Sequence, residues 1–590
     1  MLLHTKSLTR TIIIIVNNCL LSHFLLTLQS KTINLNVCMK ISNALIIVAA
    51  MSVCSTTFSC RTASNAMKAD DNTVVKTVGN PYLPMWEHIP DGEPYVFEDP
   101  DHPGKMRAYI YGSHDSRLVG YCGRELVVWS APVEDLNHWR YDGEILVVDK
   151  NAKGQPLHPD SLKGDVLFAP DVTLKVAPDG TKTYYLYPND QEWGRNGLVA
   201  RSNSPKGPFE VCNWNADNPN ATVGPLAFDP AVFIDDDGRV YGYWGIMKSY
   251  AAELDPETMA TLKPGARIIE GMIPGTDDES EFHFFEASSI RKVKDKYIFI
   301  YSRFMPEGEF GLHRTNYTLA YAYSDHPLGP WTYGGTIIDA RARETDQQGR
   351  PFASATITGN THGSICEING QWYVFYHRQT GYDEYARQAM VAPIKVEVQE
   401  GPGGKVLISE GEVTSEGFSL EGLDPTERHS AAICCWHTGP RPTIHAAKKI
   451  YSGSFIDRGY GTDDRLTHPY ALRNNSNPVV NNTDGSIVGY KYFNLDKLYG
   501  KRKATLSLVL TPEGIDGIIH IMVDRPWTSQ GGKEVGQVAL KSSMPKESAE
   551  LKVPVNGLTR LQGKHAIFFV FESDTKEKSL CQLDNFAFTY

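Results

Sequence analysis

At 590 residues the chain is too long for one ordinary hydrophobic core, so two domains are the natural expectation. A formal charge of −11 with no basic block excludes nucleic acid and anionic lipid as electrostatic partners. Ordinary apolar content with abundant aromatics suits a neutral, sugar-like ligand instead.

The first segment is apolar in two stretches, around Thr11–Val16 and Ile41–Val53, both short of the roughly 20 residues of a membrane span. Met39-Lys40 followed by ISNALIIVAAMSVCSTTFSC has a basic start, an apolar middle and small residues before a cysteine. It resembles a bacterial lipoprotein signal with Cys60 as the lipid-bearing residue. Residues 1–60 are read as a targeting segment, those before Met39 as an upstream extension, and 61–78 as a tether. The expectation is an exported bacterial lipoprotein, periplasmic or at the outer membrane or cell surface, that meets the membrane only through that anchor. Cys122, Cys212, Cys366, Cys434, Cys435 and Cys581 follow without CxxC or zinc spacing and read mostly as buried free thiols.

From Asp91 onward one unit recurs five times: a polar residue, a strand, a tight turn and an aromatic-alternating second strand. The copies are DGEPYVF…GKMRAYIYGSHD from Asp91, DVTLKVAPDGTKTYYLY from Asp171, DPAVFIDDDGRVYGYWG from Asp229, EASSIRKVKDKYIFIYS from Glu286 and HGSICEINGQWYVFYHR from His362. Turns at Pro178-Asp179-Gly180, Asp236-Asp237-Gly238 and Asn369-Gly370 set each hairpin and its register. Spacings of roughly 55 to 75 residues leave room for about four strands each, the blade unit of a propeller. In such a ring the residue that opens each inner strand points into the channel mouth, so Asp91, Asp171, Asp229, Glu286 and His362 should converge. Any one alone would read equally well as a turn cap.

The stretch ISEGEVTSEGFSLEGLDPTERHSAAICCWHTG is expected to close the ring by returning a strand to the first blade. That assigns the propeller to 79–440, with GPRPTI at 439–444 as linker. From 446 to 590, short alternating strands with frequent turns read as a β-sandwich. The fold class is therefore all-β: a five-bladed propeller followed by a jelly-roll-like sandwich. The sandwich is similar in pattern to carbohydrate-binding modules, with Trp527 and Tyr490 as candidate sugar platforms. Core packing is the stronger reading for Tyr490, and a purely structural domain is an equal alternative.

Asp91, Asp171 and Glu286 sharing one mouth would raise one another's pKa, the condition that separates an acid from a base in glycoside hydrolysis. The stretches HIPDGEPYVF, LFAPDVTL, FDPAVFIDDDG, FFEASSIRK and THGSICEINGQWYVFYHR resemble glycoside hydrolase family 43, the five-bladed arabinofuranosidases and xylosidases, over about residues 79–425. The resemblance implies Asp91 as general base, Glu286 as general acid, and Asp171 beside Glu286 as the carboxylate that sets the acid's pKa. It implies inversion, with the two reacting carboxyls roughly 6.5 to 9.5 Å apart. Gly92 replaces the family's usual Pro, and Phe168 stands where Trp often precedes Ala-Pro-Asp.

The same resemblance implies Arg387 in the substrate pocket, with a salt bridge to an axial carboxylate as the rival; Asp229 repeats the axial position without a catalytic role and reads as structural. No cofactor is required; His362 is a candidate substrate-binding residue, and a structural calcium on the axis would be reached from it through water, with a hydrogen-bonded structural histidine an equal reading. Phe168, Trp86 and Trp244 are candidate stacking residues, with core packing the commoner fate of Trp244. Asp99, Asp101 and Asp115 read as turn or solvent residues, Asp115 being the reserve base. The expected substrate is a plant polysaccharide or oligosaccharide carrying terminal α-L-arabinofuranosyl or β-D-xylosyl residues. Endo-arabinanase, galactofuranosidase or galactosidase activity, and a non-catalytic glycan-binding propeller, are the alternatives.

Overall fold

The computed structural model describes residues 74–590 except 118–119, 159–163, 191–194, 196, 277–278, 356–358, 383, 386, 440–452 and 460–474. The targeting segment with Cys60, most of the tether and all of the proposed linker but Gly439 lie outside the described residues. Among those described, every regular element is a strand or a short 3-10 turn.

Five antiparallel sheets follow one another along the chain. Blade 1 holds Glu93–Glu98, Met106–Tyr111, Glu125–Pro132 and His138–Val147, with Val74–Lys76 at its outer edge. Blade 2 runs Phe168–Val176, Lys182–Asn189, Ala200–Ser202 and Glu210–Val211, and blade 3 Ala231–Ile234, Val240–Trp244, Tyr250–Leu254 and Ile269–Glu270. Blade 4 comprises Phe284–Val293, Lys296–Met305, Thr315–Ser324 and Thr332–Asp339; blade 5 has Ser364–Ile368, Gln371–Gln379 and Arg387–Ile394.

The second strand of each blade explains the ring. Its side chains alternate faces, and both faces are apolar, so each blade packs on both neighbours. Tyr109 and Tyr111 join the core shared with blade 2, whereas Ala108 and Ile110 join the one shared with blade 5. Tyr185 and Tyr187 meet blade 3 while Tyr184 and Leu186 meet blade 1. Phe299 and Tyr301 meet blade 3, Ile298 and Ile300 blade 5. The last gap closes the same way, with Tyr373 and Phe375 packed against Trp129 and Ile110.

Closure therefore uses packing, the parallel bridge Gly92 to Gly363 and hydrogen bonds such as those of Asn80 and Tyr82 to Val391 and Ala389, rather than the returning strand expected from 408–439. A Cβ on Gly363 would lie 1.9 Å from the Phe375 carbonyl oxygen of its own blade, so only glycine fits at the start of that hairpin. The strands Val396–Val398 and Val406–Ile408 form a hairpin held to blade 4 by the Tyr321 hydroxyl, which donates to the Val406 carbonyl and accepts from the Ile408 N–H. His429–Ser430 and Trp436–Thr438, placed in the propeller by the sequence reading, pair instead with strands of the second domain.

That domain is a two-sheet sandwich. One sheet orders Phe455–Ile456, Val479–Val480, Cys581–Thr589, Thr505–Pro512 and Ala549–Pro554, with His429–Ser430 also on Cys581–Thr589. The other orders Trp436–Thr438, Ile487–Asn494, Lys564–Glu572, Gly517–Val523 and Lys533–Leu540. Tyr490 is fully buried between them, its hydroxyl donating to the Ala431 carbonyl. Trp527 is not a free platform. A propeller hairpin, Arg343–Thr345 with Pro351–Ala353, lays Phe352 against Trp436 and Trp527, with ring centroids 5.4 and 6.3 Å away. Lys491 of the sandwich reaches Glu344 and Glu412 of the propeller beside this contact.

A polar network on the axis ties all five inner strands. Arg291 of blade 4 donates to Glu93 Oε2 (2.7 Å) and the Tyr95 hydroxyl (3.2 Å) of blade 1, and to the Ile365 carbonyl (3.1 Å) of blade 5. The Tyr95 hydroxyl donates to Asp171 Oδ1 (2.6 Å) of blade 2, whose Oδ2 accepts from Val232 N–H (2.8 Å) of blade 3. Burial pushes Glu93 up to about 7, with Asp171 adding repulsion that Arg291 only partly offsets. Asp171 is raised by the same burial. Replacing Arg291 by Met should strand two buried carboxyls and cost about 3–5 kcal/mol of stability. Urea unfolding measures this, and Glu93→Gln on that background should recover part of the loss.

Candidate active site

The axial mouth is built on strained entries to the inner strands. Asp91, Ala169, Asp229 and Ala287 have φ of 58°, 33°, 46° and 69°, left-handed values that aspartate tolerates better than alanine. Pairing slips between Phe168 and Asp171 in blade 2, and between Glu286 and Ser289 in blade 4. Such bulges re-aim the side chains that follow.

Counting from the left-handed residues corrects the sequence reading. Ala169, not Asp171, takes the place in blade 2 that Asp91 and Asp229 take in theirs. Asp171 corresponds to Glu93, two residues or about 6–7 Å further along its strand. Its partners, Tyr95, Val232 and Arg291, are those of the lower network. The group that crowds Glu286 and Asp91 is Asp229. Matching Pro170 with Pro230, rather than acid with acid, would have shown this in the sequence.

Asp91 is 4% exposed and held from three sides. Its Oδ1 accepts from Arg387 Nη1 (3.0 Å) and its Oδ2 from the Ser113 hydroxyl (2.6 Å), which also accepts from Ala169 N–H. Its own N–H donates to His377 Nδ1 (3.1 Å), so the proton of that ring sits on Nε2 and points at the Asn360 carbonyl (3.0 Å). Burial works to raise the Asp91 carboxyl, but the Arg387 charge, with His377, His362 and Ser113, holds it below the usual carboxylate range.

Glu286 behaves oppositely. Among the described residues its carboxyl accepts no hydrogen bond; burial and the Asp91 charge push it up to about 8, against Arg387. Asp229 is raised as well, first by burial and then by Glu286 and Asp91. Unlike Glu286 it has donors: the Asn189 amide at 3.5 Å and the Ala287 N–H. Both carboxyls of the pair are raised, and among the described residues Glu286 is the member with no donor to stabilise its charge.

Arg387 is buried as a salt-bridge partner of Asp91 and Asp115. Asp115, expected in a turn or solvent, is fully buried and engages Arg387 through the backbone N–H, Nε and Nη2, each at 2.9 Å. His362 stands between the layers, Nδ1 4.0 Å from Asp91 and 3.8 Å from Asp229, Nε2 3.8 Å from Glu93 Oε1. Burial lowers it to about 4, so it is neutral at pH 7. Phe168 is half-buried at the blade 2 entry, opposite Asn189. Trp86 packs on Trp129 in the core between blades 1 and 5, and Trp244 in that between blades 2 and 3. Ser113, His377 and Asp229's neighbourhood to Glu286 were not foreseen; His377 ends an alternating run that reads only as packing.

Among the described residues no group of three or more His, Cys, Asp or Glu side chains could hold a metal ion directly. The six cysteines of the body are free; Cys122, Cys434, Cys435 and Cys581 are buried, whereas Cys212 is exposed.

The sequence matches the model of the glycosyl hydrolases family 43 over residues 99–400, about half of the chain. The chain belongs to this family. It is a glycoside hydrolase. A xylosidase/arabinosidase of Thermoclostridium stercorarium is 31% identical over 534 residues, 85% of this chain and 98% of the relative. An arabinoxylan arabinofuranohydrolase of Bacillus subtilis is 25% identical over 572 residues, 90% of this chain and 96% of the relative. A crystal structure of a family 43 arabinoxylan arabinofuranohydrolase from Bacillus subtilis, in complex with cellotetraose, has a TM-score of 0.41 at 21% identity, covering 86% of this chain and 97% of that one. The family match contains Asp171, Asp229, Glu286, His362 and Arg387, while Asp91 lies just upstream of it.

Proposed function

We propose that this family 43 enzyme is an inverting exo-glycosidase that removes terminal α-L-arabinofuranosyl or β-D-xylosyl residues from plant polysaccharides or their oligosaccharides. The relatives' names, xylosidase/arabinosidase and arabinoxylan arabinofuranohydrolase, support the sugar class. The observation that carries the mechanism is the opposite displacement of two carboxyls in one mouth: Asp91 held down, Glu286 pushed up. Asp91, ionised, takes a proton from water attacking the anomeric carbon. Glu286, protonated, gives its proton to the departing glycosidic oxygen as that bond breaks. Water supplies the new hydroxyl from the opposite face, so configuration inverts. Asp229, rather than Asp171, is the third carboxylate of this reading, because it shares the mouth with Glu286 and Asp91, whose charges add to its burial in raising it.

No cofactor takes part in these steps. His362 Nε2 and Glu93 Oε1 are buried without a hydrogen-bond partner, a donor pair too small to cage calcium and suited to a hydrated ion. His362 and Glu93 would hold such an ion through its waters, and its charge would favour ionised Asp91. At the other end of the chain, the signal-like segment ending at Cys60 supports export and lipid anchoring at a bacterial cell surface.

Asp91→Asn and Glu286→Gln should each lower kcat/KM on aryl arabinofuranosides and xylosides by about 10²-fold or more. Product followed by NMR should first appear with inverted configuration; a retained anomer excludes the mechanism. Asp229→Asn should cost much more turnover than Asp171→Asn, whose chief effect should be on stability.

The pH profile carries its own signs. Asp91 must be ionised, so kcat/KM should fall only below the usual carboxylate range, and Glu286 must be protonated, so it should fall again above about 8. Rates measured from pH 3 to 10 check both limbs. Labelled palmitate should enter the wild-type protein expressed in a bacterium and be absent from Cys60→Ala; incorporation by that variant removes the anchor.

A further inference from the structure

We infer that Asp115 is a positioning residue for the base, holding Arg387 from the side so that Asp91 receives one guanidinium hydrogen bond instead of two. The inference rests on the proposed role of Asp91.

Of the groups placed against Asp91 among the described residues, Arg387 is the single permanently charged cation. Those groups are Arg387, His377, His362 and Ser113, with Asp229 and Glu286 across the mouth and Asp115 and Cys122 behind. Both histidines are neutral at pH 7, with His377 lowered to about 3 by burial and the Arg387 charge. The basicity of Asp91 therefore depends on how Arg387 is shared.

The sharing is fixed by geometry. Asp115 Oδ2 accepts both the backbone N–H and Nε of Arg387, and Oδ1 accepts Nη2. Asp115 is itself pinned, its Oδ1 accepting the Cys122 N–H (2.8 Å) and its own N–H donating to the His88 carbonyl (2.9 Å). The Tyr121 ring lies 4.8 Å from the guanidinium carbon, and Cys122 Sγ is 3.4 Å from Nη2. Only Nη1 is left to reach Asp91. A guanidinium released from Asp115 could turn its fork on Asp91, the geometry in which arginine binds a carboxylate most strongly. A carboxylate so neutralised is a poor general base.

The test compares Asp115→Asn with Arg387→Lys across pH, with Asp91→Asn alongside and thermal melts for each. Asp115→Asn keeps the shape and removes the charge; it should lower kcat by about tenfold or more at unchanged KM for an aryl glycoside. Its acid limb should recede to lower pH. Arg387→Lys withdraws the fork from a buried carboxyl and should move the same limb upward. Opposite movement of one limb is not produced by loosening the fold, and Asp115→Glu, which restores the charge, should return the limb toward wild type. A lower melting temperature with an unmoved limb in Asp115→Asn overturns the inference. If Asp115→Asn does not fold, an unmoved limb in Arg387→Lys overturns it equally. Wild-type turnover by Asp91→Asn would instead overturn the role of Asp91 as base.

Discussion

One guanidinium on the axis holds the ring together. A propeller packs its blades through apolar faces, but its inner strands converge where there is little apolar volume to fill and every strand presents polar groups. Arg291 addresses this by bonding blades 1 and 5 directly, while Tyr95 and Asp171 extend the contact to blades 2 and 3. The network carries more carboxyls than cations, and burial raises both of its acids above the range of solvent-exposed ones, Glu93 to about 7. Its rigidity gives the layer above it a floor.

The chemistry sits on that floor. There the strands are entered through left-handed residues and bulges, costs of order 1–3 kcal/mol each that the apolar interblade cores sustain. The return is placement: Asp91 faces a fixed donor set, and Glu286 has no donor among the described residues. Two carboxyls of ordinary intrinsic acidity are thereby set apart by their surroundings. The carboxyls of the lower layer serve the fold; those of the upper layer are the ones proposed to react.

The sequence made the hairpins legible because period-two alternation and Gly-containing turns are local signals. It made the blade count legible for the same reason. What it concealed was depth along the axis. Blade 2 carries its acid two residues later than blade 3 carries Asp229, and a shift of two leaves the side chain on the same face, so alternation cannot report it. Ring closure was hidden too, since the last gap is sealed by side chains of strands already counted and by Asn80 and Tyr82, which bond blade 5 from a segment with no strand pattern of its own. Trp527 read as a platform because an aromatic in a turn is ambiguous until its neighbour, Phe352 from a distant hairpin, is known. Asp115 was hidden because its partner lies in blade 5.

The order of strands in the sandwich bears on how the molecule is made. Cys581–Thr589 is the centre of its sheet, paired with His429–Ser430, Val479–Val480 and Thr505–Pro512. During synthesis on the ribosome, the propeller has all its blades in hand while the sheet that docks beside it still lacks its middle. The half-made sandwich must wait, its apolar interior open, until that strand emerges, and a message broken shortly before this point would yield an intact ring carrying an unclosed partner.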